Sequence, residues 1–590
     1  MLFKEVAEYY KKLESVSSRL SMIDILSEMF SNSSKEEIRD LVYITQGVLS
    51  PPFEGKEIGI AEKLAMESLE IATGIERKTI EKNFNGTGDL GLTAENIIAE
   101  SKLKKFSSKK FSVTEVFETM TKISRTAGQG SKDVKIKLLA SLMSDSSPLE
   151  ARYLIRFSLG TLRLGLGDAT ILEALSKAVT GSRDSKELLE NAYNLCSDLG
   201  KVSKVLFEEG ISGIAKFNIE LFNPIRPELA ERAKDFEEIM ERMNGVCAVE
   251  SKYDGLRAQL HMDKKKNKLE IFSRNLERMT NMFPDISKNA FDEINADSII
   301  AEGEAIAYDD ITEEFRPFQE TIQRKRKHGI EEKSAEVPLH LFLFDIMYLN
   351  GKSLMDMPYS KRREFLESVL VKQKMICPSG MILSRSAKEL EMFFNKEISD
   401  GLEGVVAKDL NSKYIAGARK FSWIKMKRSY RSELSDTVDL VIIGYFLGKG
   451  SRTEFGLGGL LVATYNDKKD IFESITKIGT GFTEKQMSSF KDLLEKIKSR
   501  KKPARVESGV VPDFWTEPLY VIEVRADEIT RSPMHMCGKE EYTQDEIGYA
   551  LRFPRIVSDG VRDKKAEDAT TTKEILELFS LQKKKPLEEK

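Results

Sequence analysis

The sequence predicts a multidomain protein with an all-α first region, an α+β middle region and a small β-barrel at the end. Three observations predict it. Apolar residues recur at three- and four-residue steps up to about residue 215. From Val246 the apolar runs shorten and take on β character, with helical stretches between them. After about Arg428 strand-like runs return around a Gly-rich connection and one helix-like stretch. The length of 590 residues fits three or four domains, at roughly 150 residues each.

In the first region, Val6, Tyr10, Leu13, Val16, Leu20, Ile23 and Leu26 make one apolar stripe. Ser112 with Glu115, and Ser147 with Glu150, are capping boxes. Pro148 suits a first helical position and Gly160 a stop. The middle region opens after Asn223–Pro227, and RAQLHM, LEIFS, SIIAEGEAIAY and LHLFLFDIMYL are its strands. SKRREFLESVL is a helix among them. In the third region DTVDLVIIGYFLG, GLLVATYN, LYVIEVRADEI and ALRFPRIV are strands, and TEKQMSSFKDLLEKIKSR is a helix. A barrel with one helix, of the OB-fold kind, fits that order. The end, LQKKKPLEEK, reads as a frayed tail. The expected domains are 1–215, 216–428 and 429–590.

Apolar residues are 41% and charged residues 32%, a water-soluble composition. Lys+Arg (92) nearly cancels Asp+Glu (95), so a polyanionic partner would need local basic faces. Cys196, Cys247, Cys377 and Cys537 form no C-x-x-C pair, which argues against a zinc ribbon or redox dithiol and for a reducing compartment. No apolar run reaches the ~20 residues of a membrane span, and the first residues carry no secretory pattern. The expected location is the cytoplasm, with no membrane partner.

The sharpest chemical feature is Glu250-Ser251-Lys252-Tyr253-Asp254-Gly255-Leu256-Arg257. An apolar strand delivers Lys252 to an Asp-Gly turn. An unprotonated lysine is a nucleophile, and nearby cations favour that form. Arg257 is one such cation and also a phosphate ligand by type. Alone, K-x-D-G is better read as a solvated lysine beside a hairpin turn; the remaining motifs reverse that reading.

K-Y-D-G-x-R resembles the nucleotidyl-transfer motif of the covalent nucleotidyltransferases, which include DNA ligases, RNA ligases and RNA capping enzymes. Further segments resemble that superfamily's other motifs in order: Phe272-Ser273-Arg274-Asn275, Glu302-Gly303-Glu304-Ala305, Phe342-Leu343-Phe344-Asp345-Ile346, Glu403-Gly404-Val405-Val406-Ala407-Lys408 and Trp423-Ile424-Lys425-Met426-Lys427. The resemblance implies that Lys252 carries AMP. It implies that Arg274 contacts ribose and phosphate, that Phe344 stacks on the base, and that Glu250 reads the exocyclic amine of adenine by side chain or main chain. It further implies that Arg257, Arg419, Lys425 and Lys427 hold phosphates and that Glu304 lines the nucleotide. Glu304 and Glu403 are hard oxygen ligands suited to Mg²⁺. Lys425 and Lys427, two apart on a strand, share a face.

Thr161-Leu162-Arg163-Leu164-Gly165-Leu166-Gly167 and Gly128-Gln129-Gly130-Ser131-Lys132-Asp133 resemble the DNA-binding domain of archaeal and eukaryotic ATP-dependent DNA ligases. Gly128, Gly130, Ser131, Lys132 and Arg163 are the implied DNA contacts, through phosphate rather than base edges. The implied activity is sealing of nicked double-stranded DNA with ATP and Mg²⁺, in replication, repair and recombination, by a monomer. RNA ligases and capping enzymes share the catalytic motifs but lack such a helical first domain. NAD-dependent ligases carry a four-cysteine zinc module, absent here.

The sixth motif of the family reads R-x-D-K. Here Asp563 and Lys564 are in register, Val561 stands at the arginine position, and Arg562 is one place late. That motif orients pyrophosphate, so adenylylation is the step it touches. Leu103-Lys104-Lys105-Phe106 stands where related archaeal ligases carry a sliding-clamp peptide, without its glutamine, so a sliding clamp is a further candidate partner. Gly86–Gly91 fits G-x-G-x-x-G but follows no strand, which argues against a dinucleotide site. Gln323–Lys327 reads as a DNA-facing basic run or a solvated one.

Overall fold

A computed structural model describes the chain except residues 17, 102–109, 310–313, 317, 326–328, 428–436, 449–455, 480, 500, 540–546, 558–559 and 585–590. It forms two compact units, Met1–Met426 and Lys427–Lys590.

The first unit begins with helices running to Leu199–Ile214, and the first described strand is Leu229–Arg232. The expected single stripe of the first 26 residues is divided between the helices Phe3–Glu14 and Arg19–Ser31. Val6, Tyr10, Leu13, Ile23 and Leu26 are buried, but Leu20 is 54% exposed, because a second helix starts at Arg19 with its own phase. Both capping boxes form, at Ser112 and at Ser147. Gly160 follows the helix Pro148–Ser158 at φ +67°, and its N–H donates to Phe157 O. The left-handed turn there favours glycine. Gly86–Gly91 joins two helices: Gly88 is the left-handed cap of one and Asp89 the N-cap of the next. Among the described residues no strand precedes it, as a dinucleotide site would need.

Two sheets follow. The strands Leu229–Arg232, Arg419–Lys427, Gly404–Lys408, Cys247–Lys252 and Met381–Ser384 lie side by side in that order. The second sheet is built on Lys268–Ser273, Leu256–Asp263, Ser298–Asp309 and Leu339–Leu349. The chain leaves the first sheet at Lys252 and enters the second at Leu256, so Lys252 stands at their junction. Gly255 permits the crossing: a Cβ there would lie 2.4 Å from Ala305 O. The second sheet packs Leu260, Ile271, Ile299, Leu341 and Leu343 against Ile286 and Leu366 of flanking helices. Arg324, expected on a basic surface, is instead 1% exposed: its guanidinium holds Asp285 at 2.8 Å and the carbonyls of Met282 and Val337. Lys325 beside it pairs with Glu277 at 2.8 Å, and residues 326 and 327 lie outside the described residues.

The second unit has a curled sheet around Val438–Phe446, Gly459–Asn466, Ile471–Ile478 and Val521–Arg525, with a smaller pair, Glu528–Ser532 and Gly548–Arg552. The expected single strand LYVIEVRADEI is two strands belonging to different sheets. Thr572–Lys584, not singled out from sequence, is a further helix among the described residues, and Ile575 on it is buried in the core with Leu576, Leu578 and Phe579 packed alongside; of the expected tail, 581–584 end this helix and 585–590 lie outside the described residues. The apolar residues of the helix recur at helical spacing, which holds it against the sheet.

Candidate active site

Lys252 ends the strand Cys247–Lys252, opposite Gly404 of the strand Gly404–Lys408. Its Nζ contacts the carboxylate of Glu403, whose own N–H donates to Lys252 O at 3.0 Å. The ammonium therefore meets an anion, where the sequence suggested a cationic surround. Glu304 reaches the same place from the second sheet, in register with Arg257. Burial pushes the Glu304 carboxyl up to about 7, against the pull of Lys252 and Arg257 and with the push of Glu403 and Asp254. Two carboxylates thus flank one lysine. Among the described residues no group of three or more His, Cys, Asp and Glu forms a metal cage. Mg²⁺ is commonly held by one or two carboxylates with substrate phosphates and water, so Glu304 and Glu403 fit it.

Phe344 is half-buried beside Trp423, edge to face at 5.9 Å, and clusters with Val406 and Tyr414. Arg257 lies over its ring at 5.3 Å. The guanidinium of Arg257 is a two-pronged partner of Glu302, at 3.0 and 2.8 Å, and donates to Glu228 O at 2.9 Å. Sequence reasoning made Arg257 a phosphate ligand; its Nε and Nη2 are directed into the protein, to Glu302 and Glu228 O. Glu302 is thereby a site residue that the sequence reading passed over in favour of Glu304.

The Glu250 carboxylate is also engaged. Its Oε2 accepts from Lys408 Nζ at 2.7 Å, and its Oε1 accepts from Arg363 at 3.2 Å and from the Tyr359 hydroxyl. Lys408 donates to Phe344 O at 2.9 Å and lies 4.1 Å from the Trp423 ring. Burial lowers its pKa, opposed by Glu250 and Asp345. Lys408, Tyr359 and Arg363 were not singled out from sequence. The lysine closing Glu403–Lys408 was a visible signal; the two helix residues gave none, since SKRREFLESVL reads as a charged helix face.

Trp423, Lys425 and Lys427 alternate on the strand Arg419–Lys427, so the two lysines share the Trp423 face. Arg419 is exposed at the start of that strand. Arg274 is exposed one step beyond Ser273, which pairs with Ala258, and so continues the register toward Arg257. Arg274 also lines a cavity of about 680 Å³ with Arg226 and Arg163.

Arg163 adopts φ +59° and donates to Asp89 at 2.8 Å. Gly128 and Gly130 have φ +89° and +79°, with open space where a side chain would be, and Gly130 caps the helix Ser131–Ser144. Lys132 pairs with Glu67 at 3.1 Å on the surface. In the second unit Arg562 holds Glu523 at 2.6 Å, Lys564 holds Asp439 at 2.6 Å, and Asp563 is exposed. The segment 103–106 lies outside the described residues.

The middle region, with its strand-end lysine between two sheets, has the fold of a nucleotidyltransferase. Family models identify which kind. The model described as ATP dependent DNA ligase domain matches residues 227–427, DNA ligase N terminus matches 2–176, and ATP dependent DNA ligase C terminal region matches 453–565. A probable DNA ligase of Dictyoglomus turgidum is 45% identical, covering 100% of this chain and 99% of its own length. A DNA ligase of Nitrosopumilus maritimus is 42% identical, covering 99% of each chain. One of Saccharolobus solfataricus is 42% identical, over 100% of this chain and 99% of its own. A solved structure named Pmar-Lig_Pre shares the fold at TM-score 0.57 and 17% identity, covering 95% of this chain and 99% of that one. The chain belongs to the ATP-dependent DNA ligase family. It seals nicked DNA through an adenylate intermediate, with ATP as donor and Mg²⁺ as the metal.

Proposed function

We propose that Lys252 is the residue that carries AMP, with Glu304 and Glu403 as the ligands of Mg²⁺. The observation that supports it most is the meeting of Lys252, Glu403 and Glu304 at the junction of the two sheets. Lys252 Nζ, once unprotonated, attacks the α-phosphorus of ATP; an N–P bond forms as the bond to pyrophosphate breaks. The AMP then passes to the 5′-phosphate at a nick, and the 3′-hydroxyl displaces it. Phosphoryl transfer needs charge neutralisation and alignment above all. Lys425, Lys427 and Arg419 supply positive charge on one strand, and Arg274 supplies it from the second sheet. Mg²⁺, when bound, polarises the phosphoryl oxygens. Phe344 offers its face to adenine, with Arg257 as a fixed wall beside it. Glu250 stands at the base edge.

The reading extends to the whole chain. Residues 1–215 are an all-α DNA-binding domain, 216–428 the adenylation domain and 429–590 an OB-fold domain with its tail. Gly128, Gly130, Ser131, Lys132 and Arg163 grip phosphates. Arg562, Asp563 and Lys564 act in the adenylylation step. The protein works as a cytoplasmic monomer in replication, repair and recombination, and 103–106 is a candidate sliding-clamp peptide. No helix among the described residues is long and apolar enough to cross a membrane.

Label transfer tests the site. With Mg²⁺ and ATP labelled at the α-phosphate, the native protein takes up label, Lys252→Ala does not, and nicked DNA discharges it with sealing. Label on Lys252→Ala would refute the assignment.

A further inference from the structure

Glu250 and Lys252 are two apart on one strand, so their side chains leave the same face of the sheet. The Glu250 carboxylate lies in the floor of the cleft, 1% exposed. It has about four acceptor positions. Lys408 takes one on Oε2, at 2.7 Å. Arg363 and Tyr359, both on the helix Tyr359–Val369, take two on Oε1.

Neither helix residue can turn away. Arg363 is anchored by Ser379 Oγ at 2.8 Å, Ser379 O at 2.7 Å and Glu367 at 2.6 Å. Tyr359 is 1% exposed, its ring lies 4.8 Å from Lys408 Nζ, and its N–H donates to Ser412 O at 2.8 Å. The carboxylate is thus clamped from behind, with a single acceptor position left for a base edge.

We propose that Arg363 and Tyr359 are positioning residues that set adenine selectivity by clamping the Glu250 carboxylate. This rests on the reading of the Lys252 cleft as the nucleotide pocket. A lone, fixed acceptor receives the exocyclic amine of adenine. It opposes the carbonyl that guanine carries at that place, because two oxygens then face each other with no proton between them. A site built around one hydrogen bond rejects the partner that cannot make it. Released from the clamp, the carboxylate can turn its free acceptor away from the base edge, and the carbonyl of guanine is then opposed less.

The experiment is Lys252 labelling in the full chain with Mg²⁺ and α-labelled ATP or GTP, resolved into KM and kcat. Arg363→Met and Tyr359→Phe should each raise KM for ATP about tenfold, the loss of one hydrogen bond to a charged group. The ratio of GTP to ATP use should rise by a similar factor, while kcat for ATP stays within about threefold of native. Arg363→Lys should recover part of the selectivity. A change that lowers use of both nucleotides in proportion, or a Tyr359→Phe protein that is folded and equally selective, overturns the proposal. Failure of the native protein to label, or labelling of Lys252→Ala, would instead overturn the pocket itself.

Discussion

The first unit contains two buried ion networks of similar size put to different uses. In the helical region Asp89 accepts from Arg156 at 2.9 Å, from Arg163 at 2.8 Å and from the N–H groups of Gly91 and Leu92. Glu14 receives Arg152, Arg156 and the Tyr153 hydroxyl. These contacts join the helix Phe3–Glu14, the turn at Asp89, the helix Pro148–Ser158 and the loop at Arg163. Burial alone would raise the Asp89 pKa; Arg156 overrides it and the net shift is downward. In the catalytic region Glu250, Lys408, Arg363 and Tyr359 form a set of similar depth, but directly beneath a cleft holding Lys252, Glu304 and the half-buried Phe344. One network closes on itself and staples helices. The other fixes the floor of a reaction site.

The largest expected effect lies in the second network's cleft. Glu403→Ala removes one of two carboxylates at Lys252, and label uptake should fall by at least 100-fold while thermal unfolding shifts by only a few degrees. A larger loss of stability than of labelling would make Glu403 a structural residue.

Arg156→Ala should do the reverse. It leaves Asp89 and Glu14 short of a partner in a buried setting, at a cost of about 3–5 kcal/mol. Chemical denaturation should show the loss, with label uptake at low temperature close to native. Equal damage to labelling would mean that the two networks are coupled.

Glu304 gives a pH test. Its carboxyl is raised to about 7 from the usual 4.5. The folded state then holds a proton that the unfolded state has released between those values, so stability falls as pH rises through that window. Glu304→Gln lacks the penalty: metal-free, it should match the native protein below the window and exceed it by ~3 kcal/mol above pH 7. Metal binding needs the ionised form, so apparent Mg²⁺ affinity of the native protein should weaken as pH drops below about 7. Flat profiles in both would remove the buried carboxyl from the account.

The smallest effect belongs to the surface. Lys132 is exposed and its pair with Glu67 is worth little. Lys132→Ala should leave stability within about 0.5 kcal/mol and reduce the salt slope of nicked-DNA binding by about one. An unchanged slope would remove Lys132 from the DNA interface.

Much of the site was legible because its chemistry is local in sequence. Strand, lysine and Asp-Gly turn are adjacent from Val249 to Gly255, and alternation puts Lys425 and Lys427 on one face without any tertiary information. Capping boxes at Ser112 and Ser147 were equally local. What escaped was contributed by distant segments. Arg363 and Tyr359 look like an ordinary charged helix until that helix is packed behind Glu250. The pairing of Arg257 with Glu302 was not legible, because the two meet only across neighbouring strands. Arg324 looks like surface until Asp285 and two carbonyls surround it. The helix Thr572–Lys584 escaped as well, although Ile575, Leu576 and Phe579 recur on it at helical spacing and join the core.

The sequence by itself determined the order of regions, the strand-borne lysine, the two carboxylates and the aromatic beside them, since period, caps and short motifs are properties of neighbouring residues. Tertiary structure alone decided which charges face the cleft and which are spent inside the protein. A buried charge needs a partner within a few ångströms, and a partner far along the chain is brought that close only by folding.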